Sequence, residues 1–229
     1  ALAAALQAER CEIYSDVDGV YSADPRVVPD AKHLPELDHE MLQEMAEAGA
    51  KVICAQAVEW ARRRNITIHA RSTFDDRRET VVRPAATARI AARAIVSEPK
   101  VLFVRADAPL ARAVAALSAA GVSYKDLASS GSTSTFVVPL LNVPSPASAV
   151  AAIERELGAS AKVHDGLALT SVVGDGLAAR ADALETFLGC YERVGVEPVA
   201  VIAGPPRLSA LVGASAADAA QRELHAKFG

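Results

Sequence analysis

The chain of 229 residues carries a formal net charge of −4, and 51% of its residues are hydrophobic. Nucleic-acid-binding domains usually concentrate Lys and Arg on one face, so this charge balance argues against a nucleic-acid partner. No apolar run approaches the roughly 18 residues that a membrane helix needs. Length and composition therefore predict a soluble globular protein of one large or two to three small domains, without a membrane partner.

The first ten residues, ALAAALQAER, have the pattern of an amphipathic helix. They contain no basic n-region and no cleavage site, which argues against a signal peptide. Because the apolar residues begin at position 1 with no N-cap residue before them, we expect this segment to belong to a longer helix and the chain to be a piece of a longer protein.

Three cysteines, Cys11, Cys54 and Cys190, lie far apart and are flanked by apolar residues. An odd number of scattered cysteines is typical of buried thiols in a reducing compartment rather than of a disulfide framework. The sequence therefore predicts a cytoplasmic protein.

Strand and helix patterns alternate over the first 82 residues. CEIYSDV predicts a short strand that runs into a loop rich in Asp, Gly and Pro, DVDGVYSADPR, at 16–26. Helical spacing follows at 39–48 and 55–64 with AGAK between them, and NITIHARST, beginning at Asn65, alternates as a further strand. This order predicts an α/β layered domain at 1–82.

A charge cluster, DDRRET, and a shift toward Ala, Val and Gly place a domain boundary near Arg83, and an internal repeat fills much of 83–229. Each copy reads strand, helix, strand, strand, helix. We expect the first module at about 100–160 and the second at about 165–229, with a strand near 88–97 as the candidate that would complete the second. The repeat predicts two α+β modules, each a sheet with helices packed on one face.

Three segments, CEIYSDVDGVYSADPRVVPDAK, EMAEAGAKV and NITIHARSTF, occur in the order and spacing of one enzyme family. They resemble the C-terminal part of the aspartokinase catalytic domain, an α/β domain of the amino-acid-kinase type. The repeat resembles the tandem ferredoxin-like ACT domains that regulate those kinases. The resemblance implies transfer of phosphate from ATP to the side-chain carboxylate of L-aspartate, the first step toward lysine, threonine and methionine.

The resemblance also implies which residues bind ATP: Ser15, Asp16, Tyr21, Arg26, Lys51 and Val52. Phosphoryl transfer asks the protein mainly for positioning and charge stabilisation. A guanidinium at Arg26 offers a planar fork for phosphate oxygens, and an ammonium at Lys51 acts as a movable point charge. Tyr21 would pack beside the base or the ribose, and Gly19 would let the backbone turn sharply.

The KFGGT-type and RGGSD-type segments, which in this family supply the aspartate site and most phosphate contacts, do not occur in the 229 residues. The resemblance therefore implies that this chain carries no catalytic residue and is inactive on its own. ATP with Mg²⁺ would be bound as a substrate of the complete enzyme, and no prosthetic group or protein metal site is expected.

ACT domains commonly bind amino-acid effectors where their first strand meets their first helix, around a D-x-P-G turn. The first copy has RADAPLAR there, with Asp107 and Pro109 in place but Leu110 where the glycine stands in the family. Val122 would lie on the second wall, and Asp126 would be available for an ammonium group. The effector is expected to be lysine, threonine or both, and side-by-side pairing of the ACT modules predicts a homodimer.

Other patterns have simpler structural explanations. Without the family, DVDGVYSADPR is compatible with an acidic surface loop or with a calcium-like run that lacks the later ligands of an EF-hand. GDGLAA at 174–179 fits a dinucleotide fingerprint, but too few residues follow for that fold. SSGSTST at 129–135 favours a turn entering a strand. The histidines show no paired metal spacing, and His69 in a strand and His225 in a terminal helix are predicted to be solvated or capping.

Two further functions remain compatible with the sequence. One is a noncatalytic regulatory subunit that binds an amino acid and pairs with a complete kinase chain. The other is an ACT protein unrelated to aspartate, which leaves the segments AGAKV and DGVYSADPR unexplained.

Overall fold

A computed structural model of the chain describes residues 1–75, 77–84, 94–177 and 180–229. The α-helices of these residues are α1 (Leu2–Ala5), α2 (His39–Ala48), α3 (Ala55–Arg63), α4 (Leu110–Ala119), α5 (Pro146–Leu157), α6 (Ala181–Arg193) and α7 (Ala217–Phe228). The strands are β1 (Arg10–Ser15), β2 (Val20–Tyr21), β3 (His33–Leu34), β4 (Glu36–Asp38), β5 (Thr67–Ser72), β6 (Glu79–Arg83), β7 (Ala94–Asp107), β8 (Lys125–Ser130), β9 (Thr133–Pro139), β10 (Ala161–Val173), β11 (Ala200–Gly204) and β12 (Arg207–Gly213). Within the described ranges, no helix combines the length and the apolar character needed to cross a membrane.

Residues 1–84, which we call the α/β segment, form a four-stranded sheet in the order β1-β5-β6-β4. β1 and β5 are parallel, β5 and β6 antiparallel, and β6 and β4 parallel. Helix α2 begins where the Asp38 carboxylate accepts the Met41 N–H at 2.7 Å, and it ends at Gly49 in the left-handed conformation. The helices predicted at 39–48 and 55–64 are confirmed to within one residue.

The helix predicted over the first ten residues is largely wrong, because α1 covers only Leu2–Ala5. Gln7 has a φ of +53°, which turns the chain out of the helix and into β1. Leu2 and Leu6 remain exposed.

β2 and β3 form a two-stranded sheet, and β7 to β12 form one six-stranded sheet in the order β11-β12-β10-β7-β9-β8. β7 and β10 are long and pair antiparallel to each other from end to end, from Ala161 beside Ala106 to Val173 beside Ala94. The second half of β7, with α4, β8, β9, α5 and the start of β10, has the ferredoxin-like strand order 4-1-3-2, and we call it the first module. The rest of β10, with α6, β11, β12 and α7, has the same order when the first half of β7 serves as its fourth strand, and we call it the second module.

The expected fold class is therefore confirmed, with two modules that share their two longest strands. Of the extra strand predicted near 88–97, residues 94–97 belong to β7 and pair with β10. Residues 88–93 lie outside the described residues. The turn predicted at SSGSTST joins β8 to β9, whereas the end of GDGLAA at 178–179 also lies outside the described part of the chain.

Both faces of β7 and β10 are covered within the second module. On β7, Ile95 packs with the core beneath α6 and α7, whereas Ala94 and Val96 pack with the core of the α/β segment. Val172 and Val173 of β10 divide in the same way. Side chains of a strand alternate between its faces, so these apolar runs bind the α/β segment directly to the second module.

Candidate functional site

The predicted nucleotide loop leaves the sheet at Ser15, the last residue of β1, which lies beside Ser72 at the end of the parallel strand β5. The carboxyl ends of parallel strands are where open α/β sheets usually bind ligands. The Ser15 hydroxyl oxygen accepts the Val17 N–H at 3.3 Å and so stabilises the start of the loop. A short hairpin of β2 and β3 then carries a loop at 22–32, which contains Arg26.

Gly19 makes the sharp turn that the sequence predicts, with a φ of +139°. A Cβ at this position would lie 2.5 Å from Thr80 Oγ1 and 2.7 Å from His33 Nε2. Thr80 accepts the Val20 N–H at 2.8 Å and donates its hydroxyl proton to the Leu34 carbonyl at 2.7 Å. The loop therefore requires glycine both for its backbone conformation and for the close approach of β6.

Charged groups of both signs meet around Asp24. Its carboxylate forms two hydrogen bonds with the Arg26 guanidinium, Nε to Oδ1 at 3.0 Å and Nη2 to Oδ2 at 2.7 Å. These bonds hold the pKa of Asp24 below its usual range, and the nearby Lys51 ammonium acts in the same direction. The pKa of Arg26 is raised, mainly by Asp24 and further by Asp16. The structure thus brings Asp16, Arg26 and Lys51 into one electrostatic neighbourhood.

Two other predicted nucleotide residues have their side chains engaged by the protein. The Tyr21 hydroxyl donates to Asp18 Oδ1 at 2.7 Å, and its ring meets His33 edge-on with centroids 5.3 Å apart. Burial raises the pKa of Tyr21 and the bond to Asp18 adds to this, whereas the nearby Arg78 guanidinium acts in the opposite direction. Val52 is partly buried and packs against the core of the α/β segment.

Arg78 is a member of this site that the sequence did not predict. It belongs to the charge cluster DDRRET, which we interpreted only as a boundary signal, yet it lies close enough to lower the pKa of Tyr21. Its charge adds a further cation beside a loop that already holds Arg26.

The loop is seated on the second module. The Ser22 carbonyl accepts the Ile95 N–H of β7 at 2.6 Å, and its hydroxyl oxygen lies 2.9 Å from His225 Nε2 of α7. Ala23 and Val28 are buried in the same apolar cluster as α6 and α7. The prediction that His225 is solvated or capping is wrong, because the residue is 5% exposed and bonded to a serine 203 residues away.

The predicted effector residues occupy three different environments. Asp107 accepts the Thr133 hydroxyl at 2.7 Å, which lowers its pKa, while Pro109 and the half-exposed Leu110 begin α4 beside it. Val122 is buried in the core of the first module and does not line an open wall. Asp126 forms a buried ion pair with Arg207, so its carboxylate does not stand free for a ligand ammonium group.

The turn that carries Lys51 is tied to the first module. Lys125 of β8 donates from Nζ to the Glu47 carbonyl at 2.8 Å, near the end of α2, and also to the Glu98 carboxylate of β7. A cation at this position is stabilised by the negative, C-terminal end of the helix dipole of α2. Gly49 packs directly on Glu98, where a Cβ would lie 2.6 Å from the Glu98 Cβ.

A cavity of about 660 Å³ opens between α5 and the central strands β7 and β10. Lys100, Glu154 and Asp165 supply charge to a lining that is otherwise mostly apolar, and none of the predicted effector residues lines it. Among the residues that the structure describes, no group of three or more His, Cys, Asp or Glu side chains is placed to hold a metal ion.

Comparison with known proteins agrees with this architecture. Residues 1–72 match the model of the amino acid kinase family. The aspartokinase of Mycolicibacterium smegmatis is 34% identical over 247 aligned positions, which cover all of this chain and 59% of the relative. The chain thus spans about three fifths of the length of the curated relatives it matches.

Two solved structures of E. coli aspartokinase III have the same fold. The complex with aspartate and ADP (R-state) aligns with a TM-score of 0.85 at 24% identity, over 98% of this chain and 53% of that chain. The complex with lysine and aspartate (T-state) aligns with a TM-score of 0.78 at 26% identity, over 99% of this chain and 53% of that one. The chain is therefore similar over its whole length to part of an aspartokinase.

Proposed function

We propose that this chain is part of an aspartate kinase, which transfers the γ-phosphate of ATP to the side-chain carboxylate of L-aspartate and yields 4-phospho-L-aspartate and ADP. Mg²⁺ would enter with the nucleotide as part of the substrate. The observation that carries the proposal is the loop after β1, in which Arg26 is bonded to Asp24 and the charges of Asp16 and Lys51 act on this pair. Because the chain spans about three fifths of its relatives, the activity is proposed for a protein with a complete kinase domain.

The arrangement around Asp24 suits reversible binding of phosphate. Arg26 is 83% exposed, and an exposed ion pair of this kind is worth at most about 1 kcal/mol. A nucleotide phosphate can therefore replace Asp24 as the partner of the Arg26 guanidinium at little cost, and Lys51 adds a second positive charge nearby. Asp24 holds the guanidinium in place until the phosphate arrives.

Regulation by an amino acid is the second part of the proposal. The two modules have the fold expected of ACT domains, and E. coli aspartokinase III has been solved with lysine. We place the first effector contacts at the turn between β7 and α4, with Asp107, Pro109 and Leu110, and name lysine and threonine as the effectors to test. A cytoplasmic homodimer joined through the modules completes the proposal. The similarity to aspartokinases over the whole chain argues against an ACT protein unrelated to aspartate.

The test is steady-state kinetics of a complete aspartokinase that contains this segment. Loss of a hydrogen bond to a charged group costs about 1.5–3 kcal/mol, so Arg26→Ala and Lys51→Ala should each raise the ATP KM by about 10- to 150-fold. The aspartate KM should change little. Arg155→Ala, an exposed arginine on α5, is the matched control. An unchanged ATP KM in both Arg26→Ala and Lys51→Ala would remove the loop from the nucleotide site.

A further inference from the structure

The part of the nucleotide loop that contains Arg26, residues 22–32, is closed at its base by hydrogen bonds of a single residue, Ser22. Its N–H donates to the Lys32 carbonyl at 2.8 Å, and its hydroxyl oxygen accepts the Lys32 N–H, also at 2.8 Å. Its carbonyl accepts the Ile95 N–H of β7. The residues between these two ends include Asp24 and Arg26. Any displacement of Ser22 therefore moves the whole segment that presents the Arg26 guanidinium.

His225 completes the set of bonds around Ser22. The Ser22 hydroxyl has one proton to donate, and His225 Nε2 lies 2.9 Å from the oxygen. With Nε2 as the acceptor, the imidazole carries its proton on Nδ1, which faces Asp30 Oδ1 at 4.0 Å. Both Ser22 and His225 are buried. Breaking this bond would leave the buried His225 Nε2 without its partner and the Ser22 hydroxyl proton without an acceptor, while the Ser22 oxygen keeps the Lys32 N–H.

Apolar contacts hold the loop on either side of Arg26. Ala23 and Val28 are buried in a cluster that also contains Leu224 and Phe228 of α7. Arg26 lies between these two fixed points and keeps its own side chain in solvent. The backbone of the segment is thus held by the second module while the guanidinium remains free to meet a ligand.

We propose that His225 is a positioning residue for the nucleotide loop, through which the last helix of the second module sets the place of Arg26 without touching the nucleotide. The kinetic part of this inference rests on the proposed function. Because coupling between two equilibria is reciprocal, a bound nucleotide should in turn stabilise the contact between α7 and the loop. The second module then contributes directly to the affinity for ATP.

The first test is amide hydrogen exchange in the full-length protein, which needs no nucleotide. His225→Leu removes the acceptor but keeps an apolar side chain, and the Ser22 and Lys32 amides should then exchange about 5- to 30-fold faster. His225→Gln, whose terminal amide can reach the position of Nε2, should restore slow exchange. His164→Leu, at an exposed histidine of β10, is the matched control and should leave these amides unchanged. Equal exchange in all four proteins would overturn the proposal.

The second test is kinetic. His225→Leu should raise the ATP KM by about 5-fold or more, with kcat and the aspartate KM within about 2-fold of the parent, and His225→Gln should rescue it. Combined with Arg26→Ala, the effect of His225→Leu should largely disappear, because it acts through Arg26. Should His225→Leu prevent folding, Ser22→Ala removes the same bond from the loop side together with the acceptor of the Lys32 N–H, and it should raise the ATP KM at least as much, with Ser132→Ala as its control.

The results of the exchange test and of the kinetic test, taken together, separate this inference from the proposed function. Faster exchange with an unchanged ATP KM would reduce His225 to a structural role and overturn the positioning role, provided that Arg26→Ala raises the KM. If Arg26→Ala has no effect on the KM, the nucleotide assignment of the loop fails, and the exchange data alone then decide whether α7 positions the segment.

Discussion

Asp126 of the first module and Arg207 of the second form an ion pair in which the two side chains are only 8% and 13% exposed. Asp126 lies at an irregular point of β8, between Lys125 and Ala128, and has a φ of +51°. Its second carboxylate oxygen is buried and has no hydrogen-bond partner among the described residues. The pair therefore links β8 of the first module to β12 of the second, two strands that are not neighbours in the sheet.

Removing one member of this pair should be costly, because it leaves a buried charge without a partner. We expect Arg207→Met to lower the free energy of unfolding by about 3–5 kcal/mol, and the double variant with Asp126→Leu to recover most of that loss. Urea-induced unfolding of the single and double variants gives both values. Asp107→Asn, at an exposed carboxylate, should change stability by about 0.5 kcal/mol or less.

A further variant, Asp126→Asn, decides between two roles for Asp126. If its carboxylate binds the ammonium group of an effector, Asp126→Asn would abolish effector binding and leave the unfolding free energy unchanged. The observed pairing with Arg207 predicts the reverse, a large loss of stability.

Gly49 should not tolerate even a methyl group. Its φ of +114° disfavours any L side chain, and a Cβ would lie 2.6 Å from the Glu98 Cβ and 3.0 Å from the Glu98 Cα. Backbone strain of about 1–2 kcal/mol and overpacking of about 1–3 kcal/mol should add in Gly49→Ala. Gly131→Ala is a matched control, since Gly131 has a φ of +60° but open space around its Cα. Equal losses of unfolding free energy in the two variants would contradict the close contact between the AGAK turn and β7.

Local patterns allowed the helices of the α/β segment to be predicted, because Leu42, Met45 and Ala48 recur at helical spacing and are all buried. The same kind of pattern cannot show which sheet a strand joins. The second copy of the repeat was expected to begin near residue 165, yet β10 begins at Ala161 and its first residues pair with β7 in the first module. Alternation along a strand identifies its faces, not its neighbours.

The candidate site shows the same limit. The motif around Gly19 predicted a sharp turn, since only the local backbone conformation was needed for that inference. Thr80, His225 and Arg207 lie 60, 203 and 81 residues from the groups they bind. No spacing rule along the chain connects residues so far apart, and the fold alone brings them together.

Thr80 should support the nucleotide loop through its hydroxyl group. Thr80→Val keeps the shape of the side chain but leaves the Val20 N–H buried without its acceptor, which should cost about 1–3 kcal/mol of unfolding free energy. Thr80→Ser keeps the hydroxyl and should lose less. Denaturant unfolding compares the two variants, and a greater loss for Thr80→Ser would indicate that the methyl group, not the hydrogen bond, supports the loop.

Glu44 of α2 should make stability depend on pH in the direction opposite to that of an ion-paired carboxylate. Burial raises its pKa above 4.5, and the neighbouring Glu47 and Asp126 add to this, whereas Arg207 opposes it. Between the unfolded pKa and this raised folded pKa, the folded state binds more protons than the unfolded state. The contribution of Glu44 to the unfolding free energy therefore falls as the pH rises from about 4.5 through the raised value.

Glu44→Gln removes this titration and should flatten the decline. Relative to the parent, the variant should become more stable as the pH rises from 4.5 toward 7, as measured by urea unfolding at several pH values. Glu192→Gln, at an exposed glutamate of α6, controls for the change of net charge. If the stability difference between Glu44→Gln and the parent stays constant over this range, burial beside Glu47 does not govern the protonation of Glu44.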